Sequence, residues 1–268
     1  HVDGCEPAAV ETLVDRHLLL EVDPDGYTFA HALARDAIYG QLTRTRRRRL
    51  HLTVARASAA LGGTSVDQAA TLSHHLLLAD DPAHAVEAVD ATLRAADHSL
   101  AVLAYERAIE QYTSAATALD RFALDDPRAA MIQLGLGAAR RRIGEPAAAR
   151  TALDSAIARA RAPGQELVFA EAVLELVAKG GRGVAVEMPD VDRADLLAEA
   201  AERLGDGDEA LRVSLLAEQA LALLLTDQVD RRKAAAAAAH RAALLSGRPE
   251  VLARGVVAHR LLLGRPDG

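Results

Sequence analysis

The chain has 268 residues and a formal net charge of −7, from 31 basic and 38 acidic residues. This balance argues against a nucleic-acid-binding domain, because such domains are usually strongly basic. The single cysteine, Cys5, excludes an internal disulfide and a cysteine-based metal cluster, and a reducing, cytoplasmic setting is the simplest interpretation.

Half of the residues are hydrophobic, but only 3% are aromatic and none is Trp. The core must therefore be built from Ala, Leu and Val, which favours closely packed helices over sheets. No apolar run approaches the roughly 20 residues that span a bilayer, and the start lacks a signal-peptide pattern. Because the sequence begins without Met, we expect a piece of a larger protein.

The first 60 residues predict a partial winged-helix segment. Pro7 fits the first turn of a helix in "EPAAVETLVDRH". The stretch "LLLEVDPDGYTFAH" places two short apolar strands around the turn residues "DPDG". A second helix is expected to begin near His31.

Beyond residue 60 the sequence predicts helices almost throughout. Gly62 and Gly63 end one helix, Ser65 caps the next, and Asp81 with Pro82 begins another. The stretch "KGGRGVAVEMPDVD" interrupts the pattern. We therefore predict a first helical block over 61–178, a linker over 179–192 and a second block over 193–268.

A run of two-helix units separated by Gly or Pro is typical of an α-solenoid. Part of the chain fits the tetratricopeptide pattern of small and large residues, although two such units lie 41 residues apart rather than about 34. The fitting positions are Ala108, Tyr112, Ala115, Leu136, Gly137, Ala149, Leu153 and Ala156. The fold class predicted is all-α, with a small β-hairpin near the start.

Three stretches carry a resemblance to a known class of regulators. They are "YTFAHALARDAIYGQL" with the following "RRRRLHLTVARAS", "LSHHLLLADDPAHAVEAVDATLRAADHSLAVLAYERAIEQY", and "LRVSLLAEQALALLLTDQVDRRKAAAAAAHRAALLSGRPEVLARG". Together they resemble signal-transduction ATPases with tetratricopeptide-like arms, especially large actinobacterial LuxR-type transcription regulators. The resemblance implies that an ATPase module, binding ATP or ADP, lies outside this chain. No phosphate-binding loop of the G-x-x-x-x-G-K-[ST] type occurs in it.

His31 is the nucleotide-sensing candidate by this resemblance. In the class, a winged-helix histidine contacts the phosphates of bound ADP, although Ala30 and Ala32 stand here where the pattern has Met and Asp. An imidazole at the start of a helix is suited to a phosphate oxygen. The structural alternative is a histidine that caps the helix or packs against the hairpin beside Phe29 and Tyr39.

Other polar groups have structural interpretations. The arginine run from Arg44 to Arg49 indicates a solvated face, with phosphate, an acidic partner or DNA as alternatives. His74 and His75 diverge by about 100° on a helix, so we expect one packed and one exposed residue rather than a metal site. The glycine-rich segment Gly180–Gly183 indicates a flexible linker. Acidic pairs such as Asp80 and Asp81 fall at helix boundaries, where they cap.

The function predicted is a non-catalytic regulatory or sensor module. A helical-repeat surface would bind a protein or small-molecule signal and transmit it to the ATPase module, with Tyr105, Tyr112 and Arg140 as groove contacts. We expect no metal, no cofactor, no membrane contact and no direct nucleic-acid contact. The alternatives are a self-association scaffold, the sensor arm of a nucleotide-cyclase-type protein, and an enzyme with a helical fold.

Overall fold

The computed structural model describes residues 7–23, 26–60, 66–122, 126–177, 190–246, 248–253 and 255–256. These residues form twelve α-helices of nine or more residues, one 3₁₀ helix and one two-stranded antiparallel sheet. The all-α class with a short hairpin is therefore confirmed.

The chain divides into two compact units. Unit 1 comprises His1–Ala95 with Thr117–Ala123, and unit 2 comprises Ala96–Ala116 with Leu124–Gly268. The boundaries predicted from sequence stay predictions. Most of the predicted linker, 179–189, lies outside the described residues, while its last residues, 190–192, belong to the first turn of a helix.

Unit 1 begins with helix α1 (Pro7–Asp15), strands β1 (Leu19–Asp23) and β2 (Gly26–Phe29), and helix α2 (Ala32–Gln41). The strands pair antiparallel, with Leu19 opposite Phe29 and Leu20 opposite Thr28. Helix α1 packs against β1, and α2 packs against β2. This order matches the helix, hairpin and helix that the sequence predicts.

The rest of unit 1 contains α3 (Arg44–Ala60), α4 (Val66–Ala79) and the 3₁₀ helix Pro82–His84, followed by α5 (Ala85–Ala101) and α6 (Tyr105–Arg121), which also contribute to unit 2. A small core of Ala55, Leu76 and Ala88 joins α3, α4 and α5. Asp81 is an N-cap as predicted, since its carboxylate accepts a hydrogen bond from Ala83 N at 3.0 Å, but the helix that it caps is the 3₁₀ helix that precedes α5. The predicted cap Ser65 and stop Gly62-Gly63 lie outside the described residues.

Unit 2 continues with α7 (Arg128–Arg142), α8 (Pro146–Arg159), α9 (Glu166–Val177), α10 (Asp190–Leu204), α11 (Glu209–Ala222) and α12 (Val229–Ser246). Each of these helices packs against the next one along the chain, and α9 also contacts α7 and α11. The buried side chains are mostly Ala, Val and Leu, with Phe169 the largest ring among those of α7–α12. Small side chains let these helices approach closely.

Ion pairs also join helices that are two positions apart. In each pair the closest nitrogen–oxygen distance is 2.5 Å. They connect α7 to α9, the second residue after the C-terminal end of α8 to α10, and α12 to α10. The pairs are Arg141 with Glu175, Arg161 with Glu199, and Arg231 with Asp195. Unit 2 therefore combines apolar packing between neighbours with polar contacts to the second neighbour.

The tetratricopeptide-like positions predicted from sequence are all buried, and they are Ala108, Tyr112, Ala115, Leu136, Gly137, Ala149, Leu153 and Ala156. Gly137 is required by close packing, because a Cβ atom there would lie 2.5 Å from Cγ of Leu153. Helix α9 was not singled out by the sequence. Its residues fall within the predicted helical block over 61–178, but no separate helix was predicted for them.

Candidate functional site

An open cleft with a volume of about 310 Å³ lies in unit 1. We call it the arginine cleft and define it by its polar lining residues, which are Tyr39, Arg44, Arg47, Arg48, Asp80 and Arg121. Four arginines and one aspartate thus line the cleft, an excess of three positive charges in a chain whose net charge is −7. The cleft is a local site of positive potential.

Helical periodicity explains which arginines of α3 reach the cleft. Residues three and four apart share one face of a helix. Arg44, Arg47 and Arg48 therefore line the cleft together, whereas Arg46 and Arg49 are exposed and do not line it. The predicted solvated face holds for these last two residues, while the other three form a specific site.

Asp80 is the anionic centre of the cleft. It follows the last residue of α4, has a φ of 53°, and its side chain is 14% exposed. Its Oδ2 atom lies 2.6 Å from Arg121, 3.5 Å from Arg44 and 3.9 Å from Arg48, measured to the nearest guanidinium nitrogen. The sequence predicted a helix cap here. The structure instead gives the carboxylate three cationic partners.

Arg48 and Arg47 have different roles. Arg48 Nε donates a hydrogen bond to Ala79 O at 2.8 Å, and its Nη2 donates to Asp80 O, so this side chain caps the end of α4. The Arg47 guanidinium lies over the Tyr39 ring, 5.3 Å from the ring centroid. Arg47 Nε is shielded from solvent and has no hydrogen-bond partner within the described ranges.

A chain of hydrogen-bonded side chains runs behind Tyr39. The Tyr39 hydroxyl lies 2.8 Å from His51 Nε2, and His51 Nδ1 lies 2.8 Å from His75 Nδ1. His75 is half-buried and His74 is exposed, which confirms the packed and exposed pair predicted from sequence. The His74 ring centroid lies 5.2 Å from that of His75. The chain links α2, α3 and α4.

Both histidines of this chain favour the neutral form. Burial lowers the pKa of His51, and the positive potential of His74 and Arg47 lowers it further. Burial likewise lowers the pKa of His75, with His74 and His51 as further causes. Since a hydrogen bond between two Nδ1 atoms holds one proton, at most one of the two rings is cationic while it is intact.

His31, the predicted nucleotide sensor, is the N-cap residue of α2. It is exposed, its backbone is extended, and its side chain makes no capping hydrogen bond. The capping alternative is therefore wrong. Packing of His31 against the hairpin and its sensor role both stay predictions.

The three predicted groove residues lie in different environments. Tyr105 is the first residue of α6, Arg140 is in the last turn of α7, and both are half-buried. Tyr112 is 2% exposed and its hydroxyl donates a hydrogen bond to Asp97 Oδ1 at 2.6 Å. Its ring therefore packs within unit 2, and only Tyr105 and Arg140 present surface to a ligand. Their contact with a signal stays a prediction.

Within the described residues, no group of three or more His, Cys, Asp or Glu side chains is placed to hold a metal ion. The glycine segment 180–183 and Cys5 lie outside the described part of the chain. Among the helices that the structure describes, none combines the length and apolar character needed to cross a bilayer.

Comparison with protein-family models, with curated proteins and with solved structures gave no match.

Proposed function

We propose that this chain is the regulatory arm of a signal-transduction ATPase of the LuxR-type transcription-regulator kind. In this proposal α7 to α12 form an α-solenoid of tetratricopeptide-like pairs. Its surface binds a protein or small-molecule signal in the cytoplasm. The arm itself is non-catalytic, and it transmits the signal to an ATPase module outside this chain.

The observation that carries the proposal is the contact pattern of unit 2. Each helix from α7 to α12 packs on the next, and α9 contacts both α7 and α11. In a helical-repeat protein each unit buries its apolar face only by stacking on its neighbours, which produces the same pattern. Such stacks leave a long row of helix surfaces available for binding.

The start of the chain supports the second half of the proposal. Helix α1, the β1–β2 hairpin and α2 follow one another in the order of a winged helix. His31 is the second residue after the end of β2 and is exposed. A histidine at the start of a helix can donate a hydrogen bond to a phosphate oxygen of ADP in an adjoining module.

The test uses the protein expressed from its complete gene. His31→Ala should shorten the lifetime of bound ADP, measured by release of a fluorescent ADP analogue, and should raise transcription in the absence of a signal. The matched control is His98→Ala, which lies in the last turn of α5. Unchanged ADP release and unchanged transcription in the His31 variant would contradict the proposed role of His31 in coupling bound ADP to transcription.

Self-association is the second candidate, and a specific observation favours it. Three leucines near the ends of α11 and α12 are largely exposed: Leu225 at 86%, Leu244 at 58% and Leu245 at 83%. A protein–protein contact would remove this apolar surface from water. Light scattering over a hundredfold concentration range tests it, with Leu245→Ser as the variant. A monomeric mass throughout would exclude this candidate.

A further inference from the structure

The arginine cleft is built as an oxyanion site. Guanidinium nitrogens of Arg44, Arg48 and Arg121 all approach one oxygen atom, Oδ2 of Asp80. Convergence of several guanidinium groups on one oxygen is the arrangement that binds phosphate and carboxylate groups. The Asp80 carboxylate thus marks where an anionic oxygen is stabilised in this cleft.

The cleft retains cationic capacity beyond what Asp80 neutralises. Arg44 and Arg121 side chains are 77% and 51% exposed, so their remaining N–H groups face solvent at the mouth of the cleft. Arg47 Nε is a shielded donor with no acceptor among the described side chains and backbone. A second anion with several oxygens would accept hydrogen bonds from the exposed N–H groups of Arg44 and Arg121, for which Asp80 competes.

Two of the four arginines, Arg48 and Arg47, are held in place by their surroundings. Arg48 is fixed by its hydrogen bonds to the carbonyl groups of Ala79 and Asp80. Arg47 is held over the ring of Tyr39, which is itself hydrogen-bonded to His51. Donors held in this way lose little side-chain entropy when a ligand binds.

Size and apolar lining narrow the ligand class. A volume of about 310 Å³ falls within the size range of small-molecule sites. Leu77 and Leu78 also line the cleft, so one wall is apolar beside the cationic groups. We infer that the arginine cleft binds a small organic phosphate, with its phosphoryl group on Arg44, Arg47 and Arg121 and its organic part on the leucines.

The inference does not rest on the proposed function, because the cleft is assembled entirely within unit 1. The test is isothermal titration calorimetry of the whole chain at constant ionic strength, with phenyl phosphate and inorganic phosphate as probes. We expect phenyl phosphate to bind more tightly than inorganic phosphate. Leu78→Ala, at an exposed position, should reduce that preference.

Charge variants locate the site. Arg44→Gln and Arg121→Gln should each weaken phenyl phosphate binding about tenfold, as expected for loss of a charge-assisted hydrogen bond. Arg46→Gln removes the same charge from the same helix outside the cleft and should change the affinity less than twofold. Asp80→Asn removes the internal competitor and should strengthen binding, with folding verified by circular dichroism.

Three results would overturn the inference. The first is the absence of phenyl phosphate binding at millimolar concentrations. The second is equal weakening by Arg46→Gln and Arg121→Gln, which would indicate a diffuse electrostatic effect. The third is tighter binding of inorganic phosphate than of phenyl phosphate, since the apolar wall would then have no role. Failure of the Asp80 variant to fold leaves all three comparisons intact.

Discussion

The aromatic ring of Tyr112 lies against the backbone of Gly135, so closely that a Cβ atom at residue 135 would overlap the ring. The contact joins α6 to α7 in unit 2. Tyr112 is among the largest fully buried side chains, and Gly135 is buried in the middle of its helix. A glycine that is ordinarily unfavourable inside a helix is therefore required here by packing.

Gly135→Ala should destabilise unit 2 by about 2 kcal/mol, because the added methyl group displaces the Tyr112 ring and the overpacking outweighs the gain in helix propensity. The matched control is Gly40→Ala in α2, where a Cβ atom has no neighbour within 4 Å. That variant should be neutral or gain about 0.5 kcal/mol. Guanidinium denaturation followed by circular dichroism measures both. Equal stabilities would refute the close contact.

Because of Tyr112, we expect the stability of the protein to depend on pH in the alkaline range. Burial raises the pKa of Tyr112 well above its ordinary value, and the hydrogen bond to Asp97 raises it further. The folded state therefore keeps a proton that the unfolded state loses above about pH 10, so stability should fall as pH rises past that value. Tyr112→Phe should lack this contribution, whereas Tyr105→Phe should retain it. Measuring the free energy of unfolding of the wild type and of both variants between pH 9 and pH 11 tests this prediction.

Because of His51 and His75, we expect the stability of the protein to fall in acid. Their pKa values are lowered in the folded state, by burial first and by His74 next, with Arg47 facing His51 from α3. The unfolded chain therefore binds more protons, and the stabilisation, fully present above the unfolded pKa of about 6.5, is lost as pH falls below it. His51→Gln and His75→Gln should each reduce the slope of the thermal midpoint against pH between pH 7 and pH 5.

The control for the acid dependence is His31→Gln, because His31 is exposed and lies outside the hydrogen-bonded chain. This variant should keep the wild-type slope of the thermal midpoint against pH. A slope unchanged in the His51 and His75 variants would show that the chain of hydrogen bonds does not contribute to the pH dependence.

Glu175 provides an energetic test of contact between second-neighbour helices. Its Oε1 atom accepts hydrogen bonds from both Arg141 and Arg142 of α7. Glu175→Gln should cost about 1 to 2 kcal/mol, since the half-buried Arg141 and the more exposed Arg142 both lose their charged partner. Asp154→Asn breaks an i,i+4 pair within α8 at 3.7 Å and should cost about 0.3 kcal/mol. Urea titrations of both variants compare them; equal costs would contradict a structural role for the α7–α9 ion pairs.

Local signals predicted most of the helix and hairpin positions. Pro7 begins α1, and Asp81 with Pro82 begins the 3₁₀ helix, because these residues favour the first turn whatever surrounds them. Helix α9 was missed because it packs against α7, α8, α10 and α11. A helix covered on several sides has no single apolar stripe, so its periodicity is weak.

The arginine cleft could not be predicted as a site. Its residues come from α2, α3, the end of α4 and the end of α6, so no fixed spacing in the sequence connects Tyr39, Asp80 and Arg121. The arginine run was visible, but its division into a cleft face and a solvent face depends on where α4 packs. The hydrogen bond between His51 and His75 could not be predicted for the same reason, because it also depends on where α4 packs.

Transcription in the living cell tests whether unit 2 is a regulatory binding surface. RNA sequencing should compare strains that carry the wild-type gene, a complete deletion, and the double variant Tyr105→Ala with Arg140→Ala, with the double variant expressed at the wild-type abundance. We predict that the double variant changes the same set of transcripts as the deletion does. A deletion that leaves every transcript level unchanged, or a double variant indistinguishable from wild type, would contradict the account.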